Sequence, residues 1–137
     1  MKKVLLFGTF DIFHEGHRNF LKQARKHGEF LRVVVARDVT VLKVKGHRPR
    51  YAEQERVSAI KKSGLAEEVV LGSIDDRYEV VRKFKPDVIC LGYDQQQSLA
   101  ELRRKLNETG LERTRIVRLD AYKPEIFKSS LLKKNMS

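Results

Sequence analysis

The chain has 137 residues, 41% hydrophobic and 34% charged, which suits one domain with a single core and a charged surface. Lys and Arg outnumber Asp and Glu by 29 to 18, a formal charge of +11, so phosphorylated ligands, nucleic acid or an anionic surface are the partners its field favours. One cysteine excludes an intrachain disulfide, and no apolar run approaches the ~20 residues that span a bilayer.

Val4-Leu5-Leu6-Phe7 is an apolar run closed by a glycine and reads as a buried strand. Met1-Lys2-Lys3 ahead of it gives a passing likeness to a secretory leader. The apolar part is too short for one, and Asp11 and His14 interrupt it; with the lone cysteine, a reducing cytoplasm is the expected setting. Gly8-Thr9-Phe10-Asp11-Ile12-Phe13-His14-Glu15-Gly16-His17 follows. From Glu15 to His27 the spacing predicts a helix stopped by Gly28, with Phe20, Leu21 and Ala24 toward the sheet. Such a strand-to-helix turn gathers backbone N–H groups and the positive end of a helix dipole at one point, a ready anion site. Gly8 lets the backbone turn or approach a ligand without a Cβ, and Thr9 offers a hydroxyl and an N–H. His14 and His17, three apart, share one face of the first turn, and Gly16 lets a phosphate lie close to the main chain. Two imidazole donors on a phosphoryl group would stabilise the charge of an in-line displacement. The competing readings are zinc ligation and ordinary surface histidines; for zinc, the acidic neighbours and Cys90 complete no ligand set.

Gly-Thr-Phe-Asp followed by His-Glu-Gly-His resembles the signature of the cytidylyltransferase-like nucleotidyltransferases, the HxGH superfamily. The resemblance implies a single Rossmann-like α/β domain over residues 1–137, with a five-stranded parallel sheet and helices on both faces. It implies that Gly8, Thr9, Phe10, His14, Gly16 and His17 hold an NTP, that His14 and His17 are catalytic, and that Asp11 meets phosphate or acceptor. It further implies a divalent metal, Mg²⁺, with no ligand set made of protein groups alone, and a homodimer.

Phe30 to Ala36 is a second strand, and strand, helix and strand within 36 residues make a βαβ unit, hence a parallel sheet. Arg37 to Arg50 is basic and follows a strand's carboxyl end, the edge where open α/β sheets bind ligands; by itself it also reads as an exposed charged loop. Lys43 and Lys45 match the paired lysines that cytidylyltransferase relatives place there for phosphates, which implies a catalytic Lys43 and a phosphate or acceptor contact at Lys45. Ala36-Arg37-Asp38 with Lys45-Gly46-His47-Arg48-Pro49 resembles the archaeal FAD synthases within the superfamily. Tyr51 to Lys62 is a second helix with Val57 and Ile60 inward, ended by Gly64, and Arg56 stands where relatives often carry a basic residue. Glu68 to Leu71 is a third strand and Gly72 to Asp76 a loop. The resemblance makes Ser73 and Asp75 candidates for the second substrate, while a helix N-cap explains the same residues. Arg77 to Lys85 is a third helix, closed by Pro86.

Asp87 to Leu91 is continuous and apolar, as a central parallel strand should be, and Cys90 within it reads as a buried filler. The next residues, Gly92-Tyr93-Asp94-Gln95, resemble the family's Gly-x-Asp element. This makes Gly92 and Asp94 nucleotide-binding residues; a plain turn is the other reading. Ser98 to Asn107 is a helix with Ser98 and Glu101 as a capping box and Leu99, Leu102 and Leu106 as a core stripe. Thr114 to Leu119 is a fifth strand, at an edge given its arginines. Arg118 and Ser129-Ser130-Leu131-Leu132-Lys133-Lys134 have the shape of a family motif in which an arginine and a hydroxyl-opened helix hold β- and γ-phosphates. That likeness implies nucleotide contacts at Arg118, Tyr122, Ser129 and Ser130, although Ser129 reads equally as a plain N-cap. Lys123-Pro124-Glu125-Ile126 replaces the usual glycine-rich stretch, a departure from glycerol-phosphate cytidylyltransferases.

The resemblance runs the length of the chain, with no linker, repeat or second domain, so no riboflavin kinase module is expected. It implies transfer of AMP from ATP to FMN, giving FAD and pyrophosphate. The alternative is a CTP:glycerol-3-phosphate cytidylyltransferase. Charge alone favours a non-catalytic nucleotide- or RNA-binding module. The basic residues are spread along the chain and form no RNA-binding motif, so neither a specific nucleic acid nor a membrane is an expected partner.

Overall fold

A computed structural model describes residues 1–76, 78–92 and 99–120. Strands and helices alternate through them: β1 (Lys3–Gly8), α1 (Glu15–Arg25), β2 (Phe30–Val35), α2 (Asp38–Lys45), α3 (Glu53–Ser63), β3 (Glu68–Leu71), α4 (Glu79–Phe84), β4 (Val88–Leu91), α5 (Leu99–Glu108) and β5 (Arg115–Arg118). The strands form one parallel sheet in the order β3-β2-β1-β4-β5, with Leu6 of β1 level with Val33 of β2 and Cys90 of β4.

Side-chain alternation along the strands builds two cores. Val4, Leu6, Val33, Val35 and Cys90 point to the face covered by α1 and α3, where Leu21, Ala24 and Ile60 meet them. Leu5, Val34, Ile89 and Leu91 point to the opposite face, against Val81 and Phe84 of α4 and Leu102 and Leu106 of α5. Burial on both faces is why these strands are apolar without alternation. Helices cross to the second face after β3, so the connections diverge between β1 and β4. In open α/β sheets the crevice at the carboxyl ends of such a pair takes the ligand.

Two expectations change. The basic segment after β2 is a helix, α2, and not a loop. Its β-branched Val39, Thr40, Val41 and Val44 are weak helix formers, so no local pattern announces it. Its first turn is stabilised from elsewhere in the chain. The Glu53 carboxylate accepts from the Asp38 N–H at 2.8 Å, and the Asp38 carboxylate accepts from the Glu53 N–H at 3.2 Å. The start of α2 and the start of α3 therefore cap each other. In α5, Leu102 and Leu106 are buried, but Leu99 is 44% exposed and does not belong to the core stripe. It is the first residue of α5.

Candidate active site

The turn from β1 to α1 is strained and tied down. Phe10 and Ile12 have φ of 56° and 53°, the left-handed region that side chains, and β-branched ones above all, avoid. Three features hold them there. The Phe10 ring is buried in the core and lies on Gly8, where a Cβ would come within 2.6 Å of it. The Asp11 carboxylate accepts from the N–H groups of Arg50 (2.7 Å) and Tyr51 (3.0 Å). Burial alone would raise that carboxyl, but the two N–H bonds and the charges of Arg56 and Arg50 outweigh it and hold it below the usual carboxylate range. The third feature is Arg56, 1% exposed, which donates to the carbonyls of Thr9 (2.9 Å) and Tyr51 (3.0 Å) and to the Asp38 carboxylate (2.7 Å).

The histidines form the N-terminus of α1. His14 is its N-cap, with extended backbone, and its Nδ1 accepts from the Gly16 N–H at 3.0 Å. His17, on the third helical position, accepts the His14 N–H on its own Nδ1 at 3.2 Å. This is the reciprocal arrangement usually made by Ser or Thr with Glu, here built from two imidazoles. The rings stack with centroids 3.9 Å apart, the Phe10 ring sits edge-on to His17 at 5.4 Å, and Phe13 stacks on it at 5.7 Å. An accepting Nδ1 puts each ring's proton on Nε2. The cap thus sets the tautomer in which both rings donate from Nε2, at a helix end whose dipole also favours an anion.

One cavity opens beside the end of β1. It has a volume of about 370 Å³, begins at Gly8 and Thr9 and is walled by Phe7, Val34, Val39, Ile74 and Tyr78, with Arg37, Thr40, Lys43, Ser73 and Asp75 among its polar groups. Arg37 is held there by the Glu53 carboxylate, with both oxygens 3.3 Å from its Nε. Burial would raise the Asp38 carboxyl; hydrogen bonds from Arg56 and the Glu53 N–H, with the charges of Arg56 and Arg48, bring it below its ordinary value. Toward β4 and β5, the Gly92 carbonyl accepts from Arg118 Nη1 at 3.1 Å.

The structure brings Gly8, Thr9, His14, Gly16 and His17 to one corner and sets Gly92 and Arg118 at the neighbouring strand ends. Ser73 and Asp75 line the cavity with Lys43. Three expectations are corrected. Phe10 has no ring to offer a nucleotide, because the ring is buried in the core and packs edge-on to His17; only its main chain stands at the turn. Asp11 does not face phosphate; its oxygens are engaged by two backbone N–H groups, and it braces the turn. Lys45 does not pair with Lys43 on the cavity wall, because two positions on a helix point about 200° apart; it is the exposed last residue of α2. Asp94, Tyr122, Ser129 and Ser130 lie outside the described residues, as does the Ser98 cap. The sequence reading missed Arg37, Gly72 and Tyr78, and missed that Arg56 is buried. The available signal for Arg56 was a charge on the same helix face as Ile60.

Among the described residues no group of three or more His, Cys, Asp or Glu is placed to hold a metal ion. The profile of the cytidylyltransferase-like family matches residues 5–135. A protein of Thermoplasma acidophilum named FAD synthase is 38% identical over 136 residues, 99% of this chain and 94% of that one. A FAD synthase of Methanohalophilus mahii is 40% identical over 121 residues, 87% of this chain and 82% of the other. Among solved structures, one from Thermoplasma volcanium GSS1, described as a lipopolysaccharide core biosynthesis protein, superposes with a TM-score of 0.84 at 40% identity. The match covers 90% of this chain and 99% of that one.

Proposed function

This chain belongs to the cytidylyltransferase-like family, and from that premise we propose that it transfers AMP from ATP to FMN, releasing pyrophosphate and forming FAD. The observation that carries this reading is the imidazole capping box at the carboxyl edge of β1, in a chain similar over nearly its full length to FAD synthases.

A phosphate oxygen of FMN attacks the α-phosphorus of ATP. The bond from that phosphorus to the pyrophosphate oxygen breaks in line, and pyrophosphate leaves with the bonding pair. No enzyme nucleophile is required. Cys90 could not supply one, because burial pushes its thiol up to about 12. The work of the chain is to bind, orient and neutralise. His14 and His17 donate from Nε2 to the polyphosphate, the α1 N-terminus adds its dipole, and the Lys43 ammonium faces the acceptor side. Arg56 and Asp11 hold the turn in the conformation that points both rings the same way. Mg²⁺ enters with the substrate, carried on the phosphates of MgATP.

The test is to incubate the protein with MgATP or MgCTP and with FMN or glycerol 3-phosphate, following FAD by chromatography and pyrophosphate by a coupled assay. FAD from ATP and FMN is the expected product. Pyrophosphate only from CTP and glycerol 3-phosphate would make it a cytidylyltransferase, and nucleotide binding with no pyrophosphate from either pair would make it a binding module.

A further inference from the structure

We propose that Glu53 is a positioning residue for Lys43: its carboxylate, reaching over from α3, is the cap that keeps α2 helical, and α2 carries Lys43 to the cavity wall. This rests on the FMN reading above, in which Lys43 is the cation on the acceptor side.

The first argument is that α2 does not hold itself. It has eight residues, well short of the ~12–15 at which an isolated helix becomes marginal, and Val39, Thr40, Val41 and Val44 are β-branched. Only Val41 of its side chains is buried, so the core anchors it at one point. Its far end is closed by Gly46, at φ 82°, whose N–H donates to Leu42 O at 2.9 Å. Its near end has no such device of its own. Arg37 stands at the N-cap and its side chain makes no capping hydrogen bond.

Glu53 supplies what is missing. One of its oxygens accepts from the Asp38 N–H at 2.8 Å, and both lie 3.3 Å from Arg37 Nε. Arg37 Nη1 in turn donates to the Gly72 carbonyl at 3.4 Å. The carboxylate thus fixes two successive residues at the start of α2 and, through Arg37, sets them against the end of β3. Its side chain is 20% exposed, so it is not a freely solvated surface charge, and a negative group at this end suits the helix dipole.

This tie is separate from the one that holds the β1–α1 turn. Arg56 donates to Thr9 O and to the Asp38 carboxylate, and the Asp38 carboxylate accepts from the backbone N–H of Glu53. Truncating the Glu53 side chain leaves all three bonds in place. Its loss therefore falls on α2 and Lys43, while the corner that holds the polyphosphate stays braced.

The experiment compares wild type with Glu53→Ala, Glu53→Gln, Lys43→Ala and the Glu53→Ala, Lys43→Ala double variant. Amide hydrogen exchange is followed by NMR, FMN is titrated by flavin fluorescence, and kinetics are measured against FMN and MgATP. In Glu53→Ala the Asp38 and Val41 amides should exchange about tenfold faster, and kcat/KM for FMN should fall about tenfold with the ATP KM within about twofold of wild type. Glu53→Gln, which keeps an oxygen for the Asp38 N–H, should recover most of both effects. In the Lys43→Ala background, Glu53→Ala should cost less than about twofold more, because the residue it positions is already gone. Unchanged exchange, an ATP KM that rises in step with that of FMN, or a full tenfold loss without Lys43 would overturn the assignment. Wild type that makes FAD, with Glu53→Ala its equal, sinks the positioning role alone. Wild type that binds FMN in a Glu53-dependent way and makes no FAD sinks the AMP-transfer reading alone, and wild type that neither binds FMN nor makes FAD sinks both.

Discussion

Arg56→Met tests whether one buried guanidinium holds the catalytic turn. Methionine is of similar length and packs in the same volume, but it donates no hydrogen bond. The substitution removes the donor to Thr9 O, the donor to Tyr51 O and the cation beside Asp38. Breaking a buried ion pair costs about 3–5 kcal/mol, because the partner left behind is uncompensated. Asp38 is 26% exposed, so water recovers part of that loss, and the low end, about 3 kcal/mol, is expected. Against a total of ~5–15 kcal/mol the variant stays folded, with its melting temperature lowered by roughly 10 °C. Releasing Thr9 also frees a turn that keeps Phe10 and Ile12 in a disfavoured conformation. The ATP KM should therefore rise about tenfold, beyond any loss of folded protein. Arg56→Lys, which keeps the charge and one bond, should recover part of both effects. Urea denaturation followed by circular dichroism, with steady-state kinetics on the folded fraction, reads the two separately. A loss below about 1 kcal/mol with an unchanged ATP KM would refute the bracing role.

His17→Ala should lower turnover by about 10²–10³, the scale of one lost transition-state donor, while costing about 1 kcal/mol of stability for the cap. Parallel loss of melting temperature and activity would make the ring purely structural. Gly8→Ala should destabilise by about 1–3 kcal/mol, since its Cβ would meet the Phe10 ring, and Gly8→Ala with Phe10→Leu should recover much of this; a single variant as stable as wild type would contradict the packing. Asp11, Asp38 and Glu67 are all held below their ordinary values, near 3.8 for Asp and 4.5 for Glu, Glu67 because bonds from Arg25 and the Leu31 N–H outweigh its burial. The unfolded chain therefore binds protons first, so their contribution is complete above those values and lost as pH falls through and below them. The urea midpoint should be level above about pH 5 and drop beneath it, and a midpoint that rises on acidification would reverse the sign. Cys90 in the native protein should resist iodoacetamide at pH 8 and react once unfolded in urea; rapid native labelling would show that its strand is open.

The strands were legible in the sequence because a parallel sheet covered on both faces leaves continuous apolar runs such as Val4–Phe7 and Val88–Leu91. So was the His14–His17 corner, because its glycine, its two imidazoles and the helix they open are within ten residues of one another. The tertiary structure decided what depends on partners far along the chain. The helical state of α2 rests on Glu53, fifteen residues from Asp38, where local propensity argued for a loop. Asp11 became a brace because Arg50 and Tyr51 arrive with two N–H groups, and Arg56 became a buried tie because Thr9 and Asp38 converge on it. The direction of Lys45 follows in the same way from how α2 sits against the sheet. Short-range patterns record which backbone state each segment prefers, and only the packed molecule determines which polar groups are left to face a ligand.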